Sequence, residues 1–335
     1  MMQEKIERTL SVELMELKNA MFVQNDISMC RYLWGPEGAG KKELIDSFMN
    51  EIDIEDLEKR KIYYFKLDLR EIENTGRYGY WEIWQKLIMQ FKETISEAAY
   101  EYEADIIEEI FGLMENSIEE IVEEYDEDAK GCIDELFVAF TEAKINIKII
   151  MYHFEETIRI FPKDTDDGWF FMQLFDLSPK GSLEDKKLSI LLISDCYATK
   201  NMIHHMEYHS EFTDGYNVIY LGAYREKEME LYYEALADKV GELSDKQKER
   251  IDYYCGRHPK MLEIMYDLVV KANSIDNIDD TALKDYYKKL SQNLDKRKHL
   301  IDIESDETMY EYGYLFKDYV RRGYFNLSEA FKEFM

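Results

Sequence analysis

The stretch Gly35-Pro36-Glu37-Gly38-Ala39-Gly40-Lys41-Lys42 decides the fold. A short apolar run, Cys30-Arg31-Tyr32-Leu33-Trp34, precedes it, and a segment with helical spacing, Glu43-Leu44-Ile45-Asp46-Ser47-Phe48-Met49, follows. Strand, glycine-rich loop and helix in that order are what a phosphate-binding loop requires. Glycines let backbone N–H groups turn toward an anion, and the helix N-terminus adds its positive dipole end. Against G-x-x-x-x-G-K-[ST] the stretch matches every fixed position but the last, where Lys42 replaces the hydroxyl residue. Lys41 is placed to reach the β- and γ-phosphates of a nucleotide. The hydroxyl that Lys42 replaces normally holds Mg2+, so the stretch argues for phosphate binding and against the usual metal site.

Outward from the loop, strand-like runs alternate with helical patterns. Ile6, Leu10, Leu14, Leu17 and Met21 recur at helical spacing ahead of the first strand. Ile62 to Leu69 is a continuous β-prone run of the kind buried on both faces of a sheet. The runs Ile147 to Tyr152, Leu188 to Ile193 and Asn217 to Leu221 repeat it. Trp81, Trp84, Leu87, Ile88 and Phe91 mark a helix after Gly76 and Gly79, and Trp169 to Phe175 another between the third and fourth strands. Five short strands separated by helices indicate an α/β fold with a parallel sheet covered on both faces. Beyond residue 225 no such strand recurs. Helices are expected at about 226–238, 244–255, 259–272 and 280–294, with a last helical block from about 306 to the end.

Residues 93–135 hold seventeen acidic residues against a single lysine. Ile106, Ile107, Ile110, Phe111, Met114, Ile118, Ile121 and Val122 still recur at helical spacing, so amphipathic helices with a solvated acidic face are expected there. Gly112 and Gly131 are candidate breaks, and a docking surface for a basic partner is the alternative reading.

The formal net charge of −29 counts against a general nucleic-acid binder, whose phosphate contacts need clustered Lys and Arg. Lys296-Arg297-Lys298 and Arg321-Arg322 lie among acidic neighbours and read as solvated, so nucleic acid is not expected as a partner. Cys30, Cys132, Cys196 and Cys255 show no paired spacing and read as reduced thiols. No run of about 18 apolar residues appears, and the N-terminus lacks an apolar leader segment, so a cytoplasmic protein without a membrane is expected. His204, His205 and His209 could pair on one helix face as metal ligands, but a surface helix explains them as well.

In order along the chain, these features resemble the STAND and archaeal-type ATPases, relatives of the AAA+ proteins within the P-loop superfamily. Gly35 to Lys42 is the phosphate loop and Tyr64-Phe65-Lys66-Leu67-Asp68-Leu69-Arg70 is similar to the family's second strand. Ile149-Ile150-Met151-Tyr152-His153-Phe154-Glu155-Glu156 falls at the Walker B strand, and Ile190-Leu191-Leu192-Ile193-Ser194-Asp195 resembles the sensor strand. Cys255-Gly256-Arg257-His258-Pro259 resembles the lid turn, and the segment from Tyr319 to Phe331 the close of a winged-helix appendage. The resemblance implies a P-loop NTPase core with a five-stranded parallel sheet at 1–225 carrying an acidic helical insertion at 93–135. A helical lid at 226–295 and a winged-helix-like region at 296–335 complete it. It implies ATP or ADP as ligand, held by Gly35, Pro36, Glu37, Gly38, Ala39, Gly40, Lys41 and Lys42, with Pro259 on the lid side, and a protein partner or homo-oligomer.

The departures from the family fall on chemistry. Lys42 stands for the hydroxyl residue, Tyr152 and His153 stand at the two acidic Walker B positions, and Ser194-Asp195 stands where STAND proteins often carry Ser/Thr-Arg. Mg2+ is hard and wants an octahedron of oxygen ligands, so its usual site is not expected. A nucleotide-binding switch or assembly protein with weak or absent hydrolysis is the leading expectation. An active ATPase with unusual ligands, drawing on Asp68 for metal and on Glu155 or Asp195 for catalysis, is an alternative. A nucleotide-free scaffold working through the acidic helices is another. Arg225 and Arg257 could touch phosphate or a neighbouring subunit, or form ordinary surface ion pairs.

Overall fold

Side chains alternate across the plane of a strand, so each of the central strands feeds two cores at once. In β1 (Met29–Trp34), Tyr32 and Trp34 join one buried cluster and Leu33 joins the other. This computed structural model describes residues 11–18, 21, 29–52, 57, 59–95, 104–161, 188–195, 218–298, 315–318 and 323–334. Helix α1 (Ser11–Lys18) precedes β1, and α2 (Lys41–Asn50) follows it. Next come β2 (Ile62–Asp68), α3 (Gly76–Thr94), α4 (Ala104–Leu113), α5 (Ile118–Glu124), α6 (Asp126–Glu142) and β3 (Asn146–Tyr152). β4 (Leu188–Ser194) and β5 (Val218–Tyr220) complete a parallel five-stranded sheet in the order β2-β3-β4-β1-β5.

One face of the sheet packs on Leu17, Met21, Leu44, Ile45 and Phe48. The other is covered by Trp81, Trp84, Leu87, Ile88 and Phe91 of α3, backed by Ile107, Ile110 and Phe111 of α4 and by α6. Each large apolar side chain buried there contributes about 1.5–3 kcal/mol. The acidic segment therefore lays its apolar stripe on the main core and turns Glu108 and Glu109 outward. Gly131, expected as a break, lies inside α6 instead. An exposed helical glycine costs about 1 kcal/mol relative to alanine, which the packing of Ile133, Leu136, Phe137 and Phe140 outweighs.

The lid helices are α7 (Glu226–Val240), α8 (Asp245–Cys255), α9 (Pro259–Ala272) and α10 (Thr281–Lys298), close to their expected spans. Ser244 caps α8 through a reciprocal box with Gln247. Pro259 occupies the first turn of α9, where its missing N–H costs nothing, and His258 caps that helix. The helical block expected from about 306 is corrected by an antiparallel hairpin, β6 (Leu315–Asp318) and β7 (Gly323–Asn326), before a short α11 (Glu329–Phe334). α11 packs on α8. The lid turn is locked to this tail: a Cβ on Gly256, at φ 54°, would lie 2.3 Å from the Leu327 carbonyl oxygen. The helix expected at Trp169 to Phe175, the histidines 204, 205 and 209, Cys196, and Arg321-Arg322 lie outside the described residues.

Candidate functional site

The carboxyl ends of β1, β3 and β4 meet at one sheet edge, because Trp34 pairs with Ser194 and Met151 with Leu192. Ligands bind at such edges in open α/β sheets. A cavity of about 950 Å³ opens there, lined among others by Gly38, Gly40, Lys41, Lys42, His153, Glu155 and Asp195.

The phosphate loop forms one wall. Gly38 and Gly40 take φ 77° and φ 96°, a left-handed backbone open to glycine and strained for other residues. Gly35 is needed for a different reason, since a Cβ there would lie 2.0 Å from the Leu221 carbonyl oxygen. Gly40 starts α2 with no side-chain cap, which leaves the first-turn N–H groups facing the loop. Lys41 is buried, and its Nζ donates to the carbonyls of Gly35 (2.6 Å) and Pro36 (3.0 Å). The same ammonium lies 2.8 Å from Asp195 Oδ1. Lys42 is exposed at the cavity rim.

The adjoining wall is built from the ends of β3 and β4. His153, just after β3, takes a left-handed conformation, φ 57° and ψ 48°, and a 3-10 turn over Phe154–Glu156 follows. That bend folds Glu155 back over the sheet edge, although it lies beyond the end of the strand. Glu155 Oε2 accepts from Ser194 Oγ (2.7 Å) and from the Asp195 N–H (3.0 Å), while Oε1 faces His153 Nδ1 at 3.2 Å. Burial lowers the His153 pKa, but the Glu155 hydrogen bond and the charges of Glu155 and Asp195 outweigh it and raise it above the ordinary value.

Asp68 does not join this group. Both its oxygens are taken by Arg70, Oδ1 by Nε at 3.0 Å and Oδ2 by the guanidinium at 2.5 Å. Burial raises the Asp68 pKa, yet the Arg70 hydrogen bonds overcome it and hold the carboxyl below its usual range. Arg70 itself reaches the cavity, as do Arg159 and Lys289. Sequence reasoning quoted Arg70 without assigning it and passed over the other two. Arg225 pairs with buried Glu13 of α1 and, like Pro259 and Arg257, is absent from the cavity lining. Pro259 contributes by fixing where α9 starts.

The lid grips the tip of the loop. His258 Nε2 faces the Glu37 carbonyl oxygen at 2.8 Å, while its Nδ1 accepts the Met261 N–H at 3.4 Å, which assigns the ring proton to Nε2. The Lys260 N–H donates to Gly38 O (3.2 Å) and Tyr286 Oη to Glu37 O (3.3 Å). The Glu37 carboxylate accepts from Asn293 Nδ2 (2.8 Å) and pairs with Lys289 (3.2 Å). Glu37 occupies a variable position of the motif, so its sequence gave no signal of this role.

The glycine cradle, helix N-terminus and buried lysine fit a nucleotide's phosphates. The donor set does not fit magnesium in the usual way, since an ammonium replaces the hydroxyl and an imidazole accompanies the two carboxylates.

A phosphate loop on an inner strand of a parallel sheet, with β4 between the strands of β1 and β3, defines an α/β P-loop NTPase fold with helices on both faces. Among solved structures the chain is similar to a Walker-type ATPase of Pyrococcus abyssi, with a TM-score of 0.58 and 11% identity over 97% of this chain and 95% of that one. It is also similar to the ORC2 protein of Aeropyrum pernix in its ADPNP and ADP complexes, with a TM-score of 0.51 and 12% identity over 98% and 94%. At these identities the likeness is one of fold. No family model matches the chain, and no curated protein matches it. No helix among the described residues is long and apolar enough to cross a membrane.

Proposed function

We propose that the chain is a nucleotide-binding switch or assembly protein of the STAND/AAA type, taking ATP or ADP at the phosphate loop and hydrolysing it weakly or not at all. The observation that carries this reading is the direct bonding of the loop tip to the lid through Glu37 and Gly38. An anion entering the loop competes with Asp195 and with the Gly35 and Pro36 carbonyls for the Lys41 ammonium, and a shift at residues 37–38 passes to α9 and α10 through their bonds to the lid. Such a two-part arrangement can exist in ligand-dependent positions. The loop N–H groups and Lys41 bind phosphate, and Lys42 adds a second ammonium at the rim. Hydrolysis relies on metal neutralisation and water positioning, and this edge lacks the hydroxyl and the usual acidic pair. A protein partner or a second copy of the chain is the expected reader of the lid position. The likeness to an ORC protein gives no support to excluding nucleic acid.

The placement of Glu155 favours an alternative, an active ATPase in which that carboxylate orients water. Titrating labelled ATP and ADP with and without divalent metal, and assaying phosphate release, separates the readings. Binding without metal and without turnover supports the switch. Metal-dependent turnover abolished by Lys41→Ala supports the ATPase, and absence of nucleotide binding defeats both.

A further inference from the structure

One ligand atom from each of His153, Glu155 and Asp195 lies within 4.8 Å of the other two. His153 Nδ1 is 3.2 Å from Glu155 Oε1 and 3.9 Å from Asp195 Oδ2. Donors bound about 2.0–2.2 Å from a common ion sit roughly 3–3.5 Å apart, so a small closure completes such a geometry. The second oxygen of each carboxylate is held from outside the group. Glu155 Oε2 is fixed by Ser194 Oγ and the Asp195 N–H, and Asp195 Oδ1 by the Lys41 ammonium. Outer partners of this kind orient the inward oxygens of metal-binding carboxylates. Two loops from different strands thus present one imidazole nitrogen and two oriented oxygens toward a cavity floor beside the phosphate loop.

We propose that this edge is a binding site for a divalent first-row transition ion, of the Mn2+, Co2+ or Zn2+ class, in preference to Mg2+. An imidazole nitrogen suits the transition ions, whereas Mg2+ takes oxygen and water and holds its hydration shell tightly. The ion sits at the ends of β3 and β4, on His153, Glu155 and Asp195, a donor set that does not include Lys42. Asp195 is shared between the ion and Lys41, which links the site to the loop. The inference deepens the nucleotide-switch reading but does not depend on nucleotide being bound.

The test uses the full chain, stripped with chelator and free of nucleotide, titrated with Mn2+ while the paramagnetic signal of free Mn2+ is followed. One Mn2+ per chain is expected, resistant to a tenfold excess of Mg2+. His153→Gly keeps the left-handed backbone without strain and should weaken Mn2+ at least tenfold, as should Asp195→Asn, while Asp68→Asn leaves it unchanged. Melting in chelator checks that each variant is folded. Mg2+ competing on equal terms, no stoichiometric Mn2+, or a folded His153→Gly chain that binds Mn2+ as before would overturn the assignment. ATP titrated in chelator on the same preparation separates the two readings, because nucleotide binding without a Mn2+ site defeats this inference alone.

Discussion

Two neighbouring parts of one sheet edge differ in how far they follow the phosphate-loop pattern. At the end of β1 the loop keeps its glycines and lysine, with Lys42 its one departure: Gly35, Gly38 and Gly40 each meet a backbone or packing demand, and Lys41 is buried beneath them. At the ends of β3 and β4, Tyr152, His153 and Asp195 stand in place of the expected chemistry. Binding and turnover make separate demands on a P-loop protein. Holding phosphate takes backbone N–H groups and one ammonium, whereas cleaving it takes a placed metal and a placed water. On the proposed reading, this edge keeps the first demand and departs from the usual form of the second.

The loop side should be the more sensitive. Gly38→Val is expected to have the largest effect. A left-handed backbone costs a branched residue about 1–2 kcal/mol, and crowding a packed interface adds about 1–3 kcal/mol. The added Cβ would lie 2.5 Å from Tyr286 Oη and 2.7 Å from Lys260 Cβ, so the lid must lift. A drop in melting temperature together with faster proteolysis in α9 and α10 is the expected outcome. Lys41→Ala comes next. Nucleotide affinity should fall about 100-fold, equivalent to about 2.7 kcal/mol, as read by labelled ATP, with little effect from metal.

Glu82 supports the altered edge from below. Its buried carboxylate accepts from the N–H groups of Glu73 and Asn74, at 3.0 and 2.9 Å, and pairs with Lys86 at 3.0 Å. These fix the segment whose Leu69 and Ile72 carbonyls hold Arg159. Burial raises the Glu82 pKa, but the Asn74 and Glu73 hydrogen bonds and Lys86 together pull it below the ordinary 4.5. A depressed folded value means the carboxylate stabilises the fold above pH 4.5 and loses that contribution as pH falls through the folded value. Glu82→Gln should cost about 1.5–3 kcal/mol at neutral pH and flatten this part of the acid unfolding curve, measured by denaturant melts across pH.

Much of this contrast was legible in the sequence. The phosphate loop, the five apolar runs and the four lid helices follow from spacing, because strands buried on both faces and amphipathic helices carry distinct periods. The hairpin at 315–326 was hidden because its two strands are only four residues each, too short for a period to separate them from a helix. Glu155 lies past the strand, and its return to the sheet edge was not legible because nothing in His153-Phe154-Glu155 announces a left-handed bend at a histidine. Arg159 and Lys289 come from elements far apart in sequence and reach the same cavity only through the fold. Glu37 gave no signal, since its work depends on a lid that closes on it from more than 200 residues away.

Asp195→Asn sharpens the contrast from the other side. The carboxylate holds Lys41 at 2.8 Å in competition with phosphate. Removing its charge in the presence of chelator should tighten ATP binding about tenfold, or about 1.4 kcal/mol. An unchanged affinity would mean the ion pair already breaks without cost.

The smallest effect is expected at Glu37, where the two regions communicate. Glu37→Gln keeps the backbone carbonyl that faces His258 and Tyr286 but removes the charge facing exposed Lys289. A pair with so much solvent access is worth about 0.2–1 kcal/mol, and the glutamine oxygen can still accept from Asn293. Stability should therefore change little. The nucleotide-dependent difference in lid protection should shrink instead, because one of the bonds joining loop to lid has lost its charge. Hydrogen exchange of α9 and α10, with and without ATP, reads that difference directly. If it is unaltered, coupling runs through the main-chain bonds of Glu37 and Gly38 alone, and the charged contact serves only to orient the side chain.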